Sequence, residues 1–207
     1  MHGRREEKKR RTKKAIVDAA IRLFGRKGFD RTSIEELARE AGVGKGTIYG
    51  YFKAKDEIFL AFCEEELEYI FSGAVVGRTK DEPFLEQLMN LFINQFRFVT
   101  RNRDFGRQLL RELFFPKDLT LEKSRGIEDR YLGSMDRILR EAANRGELKP
   151  GLDSFVTTAQ LYSHYLICLS GWYRGHFQNE EEFAGLLCAL LQQAVNGLKS
   201  DSETSHA

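Results

Sequence analysis

Residues 33–55 read SIEELAREAGVGKGTIYGYFKAK, and this stretch decides the fold. It divides into two short helices joined by a turn at Ala41-Gly42-Val43. Ile34, Leu37, Ala38 and Ala41 fall on one face of the first helix, at the i, i+3, i+4, i+7 spacing of a buried stripe. Thr32 and Ser33 precede it, each followed three residues later by a carboxylate (Glu35, Glu36), the pattern of a capping box. Gly42 offers the left-handed backbone that ends one helix and starts another at a steep angle. Ala38, Gly42 and Ile48 then fit a helix-turn-helix: a small residue at the crossing, a turn glycine, a core anchor on the second helix. That second helix leaves Lys45, Thr47, Tyr49, Gly50 and Tyr51 to face outward, as a DNA reader requires.

Charge is distributed to match. Residues 1–55 carry 16 Lys/Arg against 7 Asp/Glu, whereas the remainder carries 17 against 24. A basic head on an acidic body suits nucleic-acid binding at one end only. Residues 1–14, MHGRREEKKRRTKK, hold eight basic and two acidic side chains and are expected to be unstructured without DNA. Such an arm either lies along phosphates or in a minor groove, or is a solubilising tail. Helix 1 follows, with Ile16, Ala19, Ala20, Leu23 and Phe24 on one face and a stop at Gly28.

Around these residues the chain resembles a known family. GVGKGTIYGYFKAKDEIF is similar to the end of the DNA-binding domain of TetR/AcrR-type regulators, and the resemblance runs over roughly residues 12–62. Ala-Gly-Val, Gly-Thr-Ile-Tyr, Tyr-Phe and Lys-x-Lys all fall in register. Gly44, where such proteins often carry Ser, and Gly50, often larger, depart from the pattern. The resemblance implies an all-α, TetR-like fold. A three-helix DNA-binding domain (1–54, with its basic arm) precedes a larger helical effector-binding and dimerisation domain (55–199) and a disordered tail (200–207).

The DNA-contacting set expected from this reading is Ser33, Gly44, Lys45, Gly46, Thr47, Tyr49, Gly50, Tyr51 and Lys55. Lys45 and Lys55 are phosphate candidates. Lys55 stands at a helix start, where a cation opposes the dipole unless an anion is bound there too. Thr47 is the base-edge candidate. Tyr49 and Tyr51 read either as phosphate donors or as ordinary half-buried packing. Gly46 and Gly50 cost a helix about 0.5–1 kcal/mol each relative to Ala, which points to a steric demand. Phe29 and Phe52 are assigned to the small core.

Helical spacing predicts further helices over Lys55–Phe71, Phe84–Thr100, Asp104–Phe115, Leu121–Arg145, Phe155–Tyr173 and Glu181–Leu198, with a polar connector at Gly73–Pro83. The last two helices are apolar on more than one face, so each needs a partner outside the subunit. A two-fold four-helix interface supplies it, and a homodimer can address a palindromic operator. A charge at Leu187 or Leu191 is then expected to split the dimer. Surplus aromatics in the body suit a mostly apolar effector cavity, with Phe92, Phe96, Leu110, Phe114, Tyr131, Met135 and Tyr165 as its candidate lining. The bland alternative for each is a dry core.

Enzyme chemistry is not encoded in any recognisable pattern: no HExxH, Walker loop, GxSxG or Cys/His metal spacing occurs. His164 and Cys168 stand i, i+4 without a third ligand, and no cofactor is expected. Arg103, Arg107 and Arg111 form a row that reads as a solvated face ahead of an anion cradle. Cys63, Cys168 and Cys188 read as small buried hydrophobes. No apolar run reaches the roughly 18–20 residues that span a bilayer, so a cytoplasmic protein is expected. The function implied is a sequence-specific regulator, a repressor released by a small apolar ligand. The alternatives are a DNA-binding protein whose body takes a protein partner, and a peripheral membrane protein using the basic arm.

Overall fold

The computed structural model describes residues 2–71, 82–101 and 103–198, without the side chains of residues 2 and 65–71. Most of the polar connector, the tail at 200–207 and the side chains of Leu67, Ile70 and Phe71 therefore lie outside the described residues. Nine helices and no strand occur among them: α1 His2–Lys27, α2 Ile34–Ala41, α3 Lys45–Tyr49, α4 Lys55–Phe71, α5 Phe84–Thr100, α6 Arg103–Phe114, α7 Leu121–Asn144, α8 Ser154–Arg174 and α9 Glu180–Leu198. The expected all-α class holds among the described residues.

One expectation fails at once. The arm is not unstructured; it forms the first half of the 26-residue α1. Arg, Lys and Glu are good helix formers, and Glu6–Arg10 and Glu7–Arg11 stand at i, i+4 with the acid first, the better orientation. The buried part of α1, from Ile16 onward, supplies the nucleus from which such a sequence propagates.

Two compact units emerge, with boundaries inside α4, α5 and α7. The first holds residues 1–68 with 99–128, and the second 69–98 with 129 onward. The first is built on Ile16, Ala19, Ala20, Leu37, Ile48, Phe52 and Ile58, all at most 1 % exposed. A file of rings extends this core: Phe24–Phe29 (5.2 Å), Phe29–Phe59 (5.4 Å) and Phe59–Phe105 (5.2 Å) between centroids. Phe29 and Phe52 are buried, as their lack of other use suggests.

The second unit packs α5, the rest of α7, α8 and α9 around stacked aromatics. Phe92 lies parallel to Tyr165 at 5.0 Å, and Phe96 stacks on Phe183 at 3.9 Å and meets Trp172 edge-on. Arg97 grips Glu180 through both Nε and Nη2, joining α5 to the start of α9. Phe183, Leu187, Leu191 and Val195 form the inner face of α9. Leu187 and Leu191 therefore sit in the subunit's own core at 0 % exposure, not on an outer seam. The period-four spacing could not distinguish the two. The outward apolar residues are Phe155, Val156, Ile167 and Leu186.

Candidate nucleic-acid interface

The reader is positioned by its caps. Ser33 is the N-cap of α2 in an extended conformation, and its hydroxyl accepts from the Glu36 N–H at 3.2 Å while the Glu36 carboxylate accepts from the Ser33 N–H at 2.9 Å. The Lys27 ammonium, then the Ser33 backbone and hydroxyl, hold the Glu36 carboxyl down to about 2. Ser33 is thus committed to the capping box. Thr32 is not a cap: its buried hydroxyl donates to the Gly28 carbonyl at 2.8 Å. At the other end Gly42 is left-handed (φ 66°, ψ 32°), and the Val43 N–H bonds back to the Ala38 carbonyl at 2.9 Å. Only a residue at ease with positive φ closes this turn without strain.

Beyond the turn, α3 buries Ile48 alone. Lys45, Gly46, Thr47 and Gly50 are exposed, Tyr49 is 50 % exposed, and Tyr51 is half-buried. Gly44 is the N-cap and provides no side-chain hydrogen bond. A Cβ on Gly46 would meet nothing within 4 Å, so no steric demand inside the subunit accounts for glycine there. The Lys45 ammonium pairs with Glu35 across the turn, which raises its pKa.

Lys55 has a different environment from the one its sequence position suggests. Its ammonium donates to the Phe29 carbonyl at 2.7 Å and the Thr32 carbonyl at 3.0 Å, and lies 4.2 Å from the Phe29 ring centroid. Burial lowers its pKa. The charge that looked free at a helix start ties down the α1–α2 loop, which aims α2 and α3. Beside it lies a set of polar groups that sequence reading missed. Asp56 accepts from Lys117 (2.9 Å), and Glu112 accepts from Gln108 (3.1 Å) and Thr120 (3.0 Å). Burial, ahead of the other influences, raises the Glu112 pKa.

An open groove of about 820 Å³ runs between the first turns of α1 and α3, lined by Arg5, Glu6, Lys8, Lys9 and Thr12 on one wall and Thr47, Gly50 and Tyr51 on the other. The Arg5, Lys9, Thr12 spacing was the available signal. Arg107 and Arg111 also line a smaller cleft, with Lys27, Arg31 and Asp104.

The seven effector-lining candidates do not all come together. Phe92, Phe96, Tyr131, Met135 and Tyr165 are buried in the second unit. Leu110 and Phe114 belong to the first, where Phe114 is 51 % exposed. Their stripe on α6 matched the others in period, and period carries no information on which unit a face serves. Within the second unit's core the Tyr131 hydroxyl donates to Gln95, and Tyr162 packs on Tyr131 at 4.6 Å. The fully buried Tyr165 hydroxyl and that of Thr158 find no hydrogen-bond partner among the described residues.

The His164 imidazole Nδ1 lies 2.8 Å from the Gln160 carbonyl, while burial pushes the Cys168 thiol up to about 11. Among the described residues no group of three or more His, Cys, Asp or Glu is placed to hold a metal, and no helix is long and apolar enough to cross a membrane.

Comparison with known proteins agrees with this geometry. Residues 16–62 match the model for bacterial regulatory proteins of the tetR family. The fatty acid metabolism regulator protein of Bacillus subtilis (strain 168) is 24 % identical over 185 residues, covering 88 % of this chain and 93 % of its own. The fold is shared with FadR of Bacillus subtilis in complex with stearoyl-CoA (TM-score 0.69, 24 % identity, covering 89 % of this chain and 98 % of that one). It is shared also with Thermus thermophilus FadR in complex with lauroyl-CoA (TM-score 0.74, 21 % identity, covering 94 % and 99 %). With its left-handed turn at Gly42 and a reading helix that buries only Ile48, the segment 16–62 is a DNA-binding domain of the tetR family of bacterial regulatory proteins.

Proposed function

We propose that this regulator is a homodimeric repressor that binds a palindromic operator and leaves it when an effector with a long apolar body occupies the second unit. The observation that carries the DNA half is the bare face of α3, where Thr47, Tyr49 and the open backbone at Gly46 are free to meet a major groove. Thr47 reads base edges, Gly46 and Gly50 allow close backbone approach, and Lys45 exchanges Glu35 for phosphate.

Dimerisation draws on Phe155, Val156, Ile167 and Leu186, which stand outward from α8 and α9. Large exposed apolar side chains favour burial against a second copy. For the effector, the support is a buried hydroxyl without a partner in an otherwise aromatic core, together with the acyl-CoA complexes of its structural neighbours. An unsatisfied buried donor destabilises the empty state, so a ligand acceptor reaching Tyr165 gives the differential affinity that shifts a two-state equilibrium. Fatty acyl thioesters are the first class to test.

Selection of bound duplexes from random sequence, followed by titration of acyl-CoAs of increasing length against the selected operator, tests both halves. A palindromic site released by long-chain but not short-chain thioesters is expected. Release by none of them rejects the acyl effector. A second reading, in which the body takes a protein partner, is favoured by the exposed Phe114, Phe115 and Leu119. Effector-independent operator binding that Phe115→Ser disturbs only in the presence of cell extract would favour it.

A further inference from the structure

The residues matched by the family model begin at 16, so the first turns of α1 lie beyond it. Their conformation bears on what they can touch. A helix with its side chains is about 10–12 Å across, whereas the minor groove of B-DNA is about 6 Å wide. A helical arm cannot enter it. The major groove facing the subunit is taken by α3 on the reading above, which leaves the sugar–phosphate backbone.

We infer that the groove between α1 and α3 is a clamp for one DNA strand, with Arg5 and Lys9 contacting phosphates outside the bases read by α3. Three observations support this. Arg5, Lys9 and Thr12 share a helical face and line the groove opposite Thr47, Gly50 and Tyr51. Arg5 and Lys9 make no ion pair among the described residues, and both are exposed. The arm is continuous with the buried part of α1, so its cations are held in place before DNA arrives and lose little freedom on binding. The occupant is set by charge: three cations and a hydroxyl outweigh the single carboxylate of Glu6 on one wall, and with a tyrosine at the other they suit a phosphodiester chain.

The inference rests on the DNA-binding reading, and its test separates the two. The full chain and its Arg5→Gln/Lys9→Gln variant are titrated with the selected operator across salt concentrations. Gln retains helix propensity, and circular dichroism checks that helicity is unchanged. Loss of two phosphate contacts lowers the slope of log K against log salt by about 1.8 per chain, with the preferred sequence unaltered. Hydroxyl-radical footprints then lose protection at backbone positions flanking each half-site. Thr12→Pro retains every charge but frees the arm from the helix, since Pro is tolerated at a new first position and not within; the same flanking protection disappears. An unchanged slope in the double variant overturns the clamp, as does intact flanking protection in Thr12→Pro or displacement of the arm by a minor-groove ligand such as netropsin. Failure of the unaltered chain to select any site overturns the regulator reading itself, and the clamp with it.

Discussion

Tyr165→Phe should make the empty protein more stable, which reverses the usual sign for removing a buried hydroxyl. Tyr165 is 0 % exposed, stacks on Phe92 at 5.0 Å, and its hydroxyl finds no partner among the described residues. An unsatisfied buried polar group costs about 1–3 kcal/mol, and Phe keeps the ring and its stacking while removing that cost. After allowance for the small void left by the oxygen, a gain of about 1 kcal/mol is expected, or about 2–4 °C in Tm for a chain of this size. Tyr131→Phe is the internal control. Its hydroxyl donates to the buried Gln95, so its removal orphans an acceptor and should cost about 1–2 kcal/mol. Differential scanning calorimetry on both variants, without effector, reads the contrast. If the hydroxyl at 165 also orients the effector, the variant should need more ligand to release DNA despite its higher Tm. A loss of stability in Tyr165→Phe equal to that in Tyr131→Phe would refute the reasoning, because it would mean the hydroxyl is already satisfied in the empty state.

Other perturbations follow from the same geometry. Gly46→Ala should stabilise the chain by about 0.5–1 kcal/mol, read as a higher Tm, because a Cβ there meets nothing; operator affinity by fluorescence anisotropy should fall at the same time. Lys55→Met should lower stability by about 1 kcal/mol in denaturant titration, through its lost bonds to the Phe29 and Thr32 carbonyls, whereas a lysine serving only as a phosphate contact would leave stability unchanged. Ile167→Glu/Leu186→Glu should shift the light-scattering mass toward 23.9 kDa with helicity intact, while Leu187→Glu should unfold the chain because that side chain is fully buried. Glu112→Gln tests a pH effect. A carboxyl whose folded pKa is raised binds its proton more tightly when folded, so its burial destabilises above the folded pKa and is neutral below the unfolded one. The variant should therefore be more stable than the parent at neutral pH, with the advantage fading as pH falls through the raised value, followed by urea melts across that range.

The reader was legible because its determinants are local. A capping box, a turn glycine and a small-residue crossing each act within a few residues, so Ser33, Gly42, Ala38 and Ile48 carry their structural roles in their spacing. Helix boundaries were legible for the same reason: α4 and α5 begin and end where their apolar period does. Periodicity determines which side chains share a face, and it ends there. It gave Leu187 and Leu186 equal standing on α9, and only packing turned the first inward and the second outward. It likewise put Phe114 beside Phe92 in one candidate cavity, although α6 and α5 serve different units at those positions.

Long-range polar pairing was invisible altogether. The Lys55 ammonium sits on carbonyls more than twenty residues away, and no propensity or motif encodes a contact of that separation. The arm was misread for a related reason: its charge suggested a solvated coil, but a helix nucleated from Ile16 extends through it. By itself, then, the sequence determined a basic helix-turn-helix head on an all-helical body. Tertiary structure alone decided which cations remain available to DNA and which apolar faces lie open, because burial and partner choice depend on what the rest of the chain brings alongside.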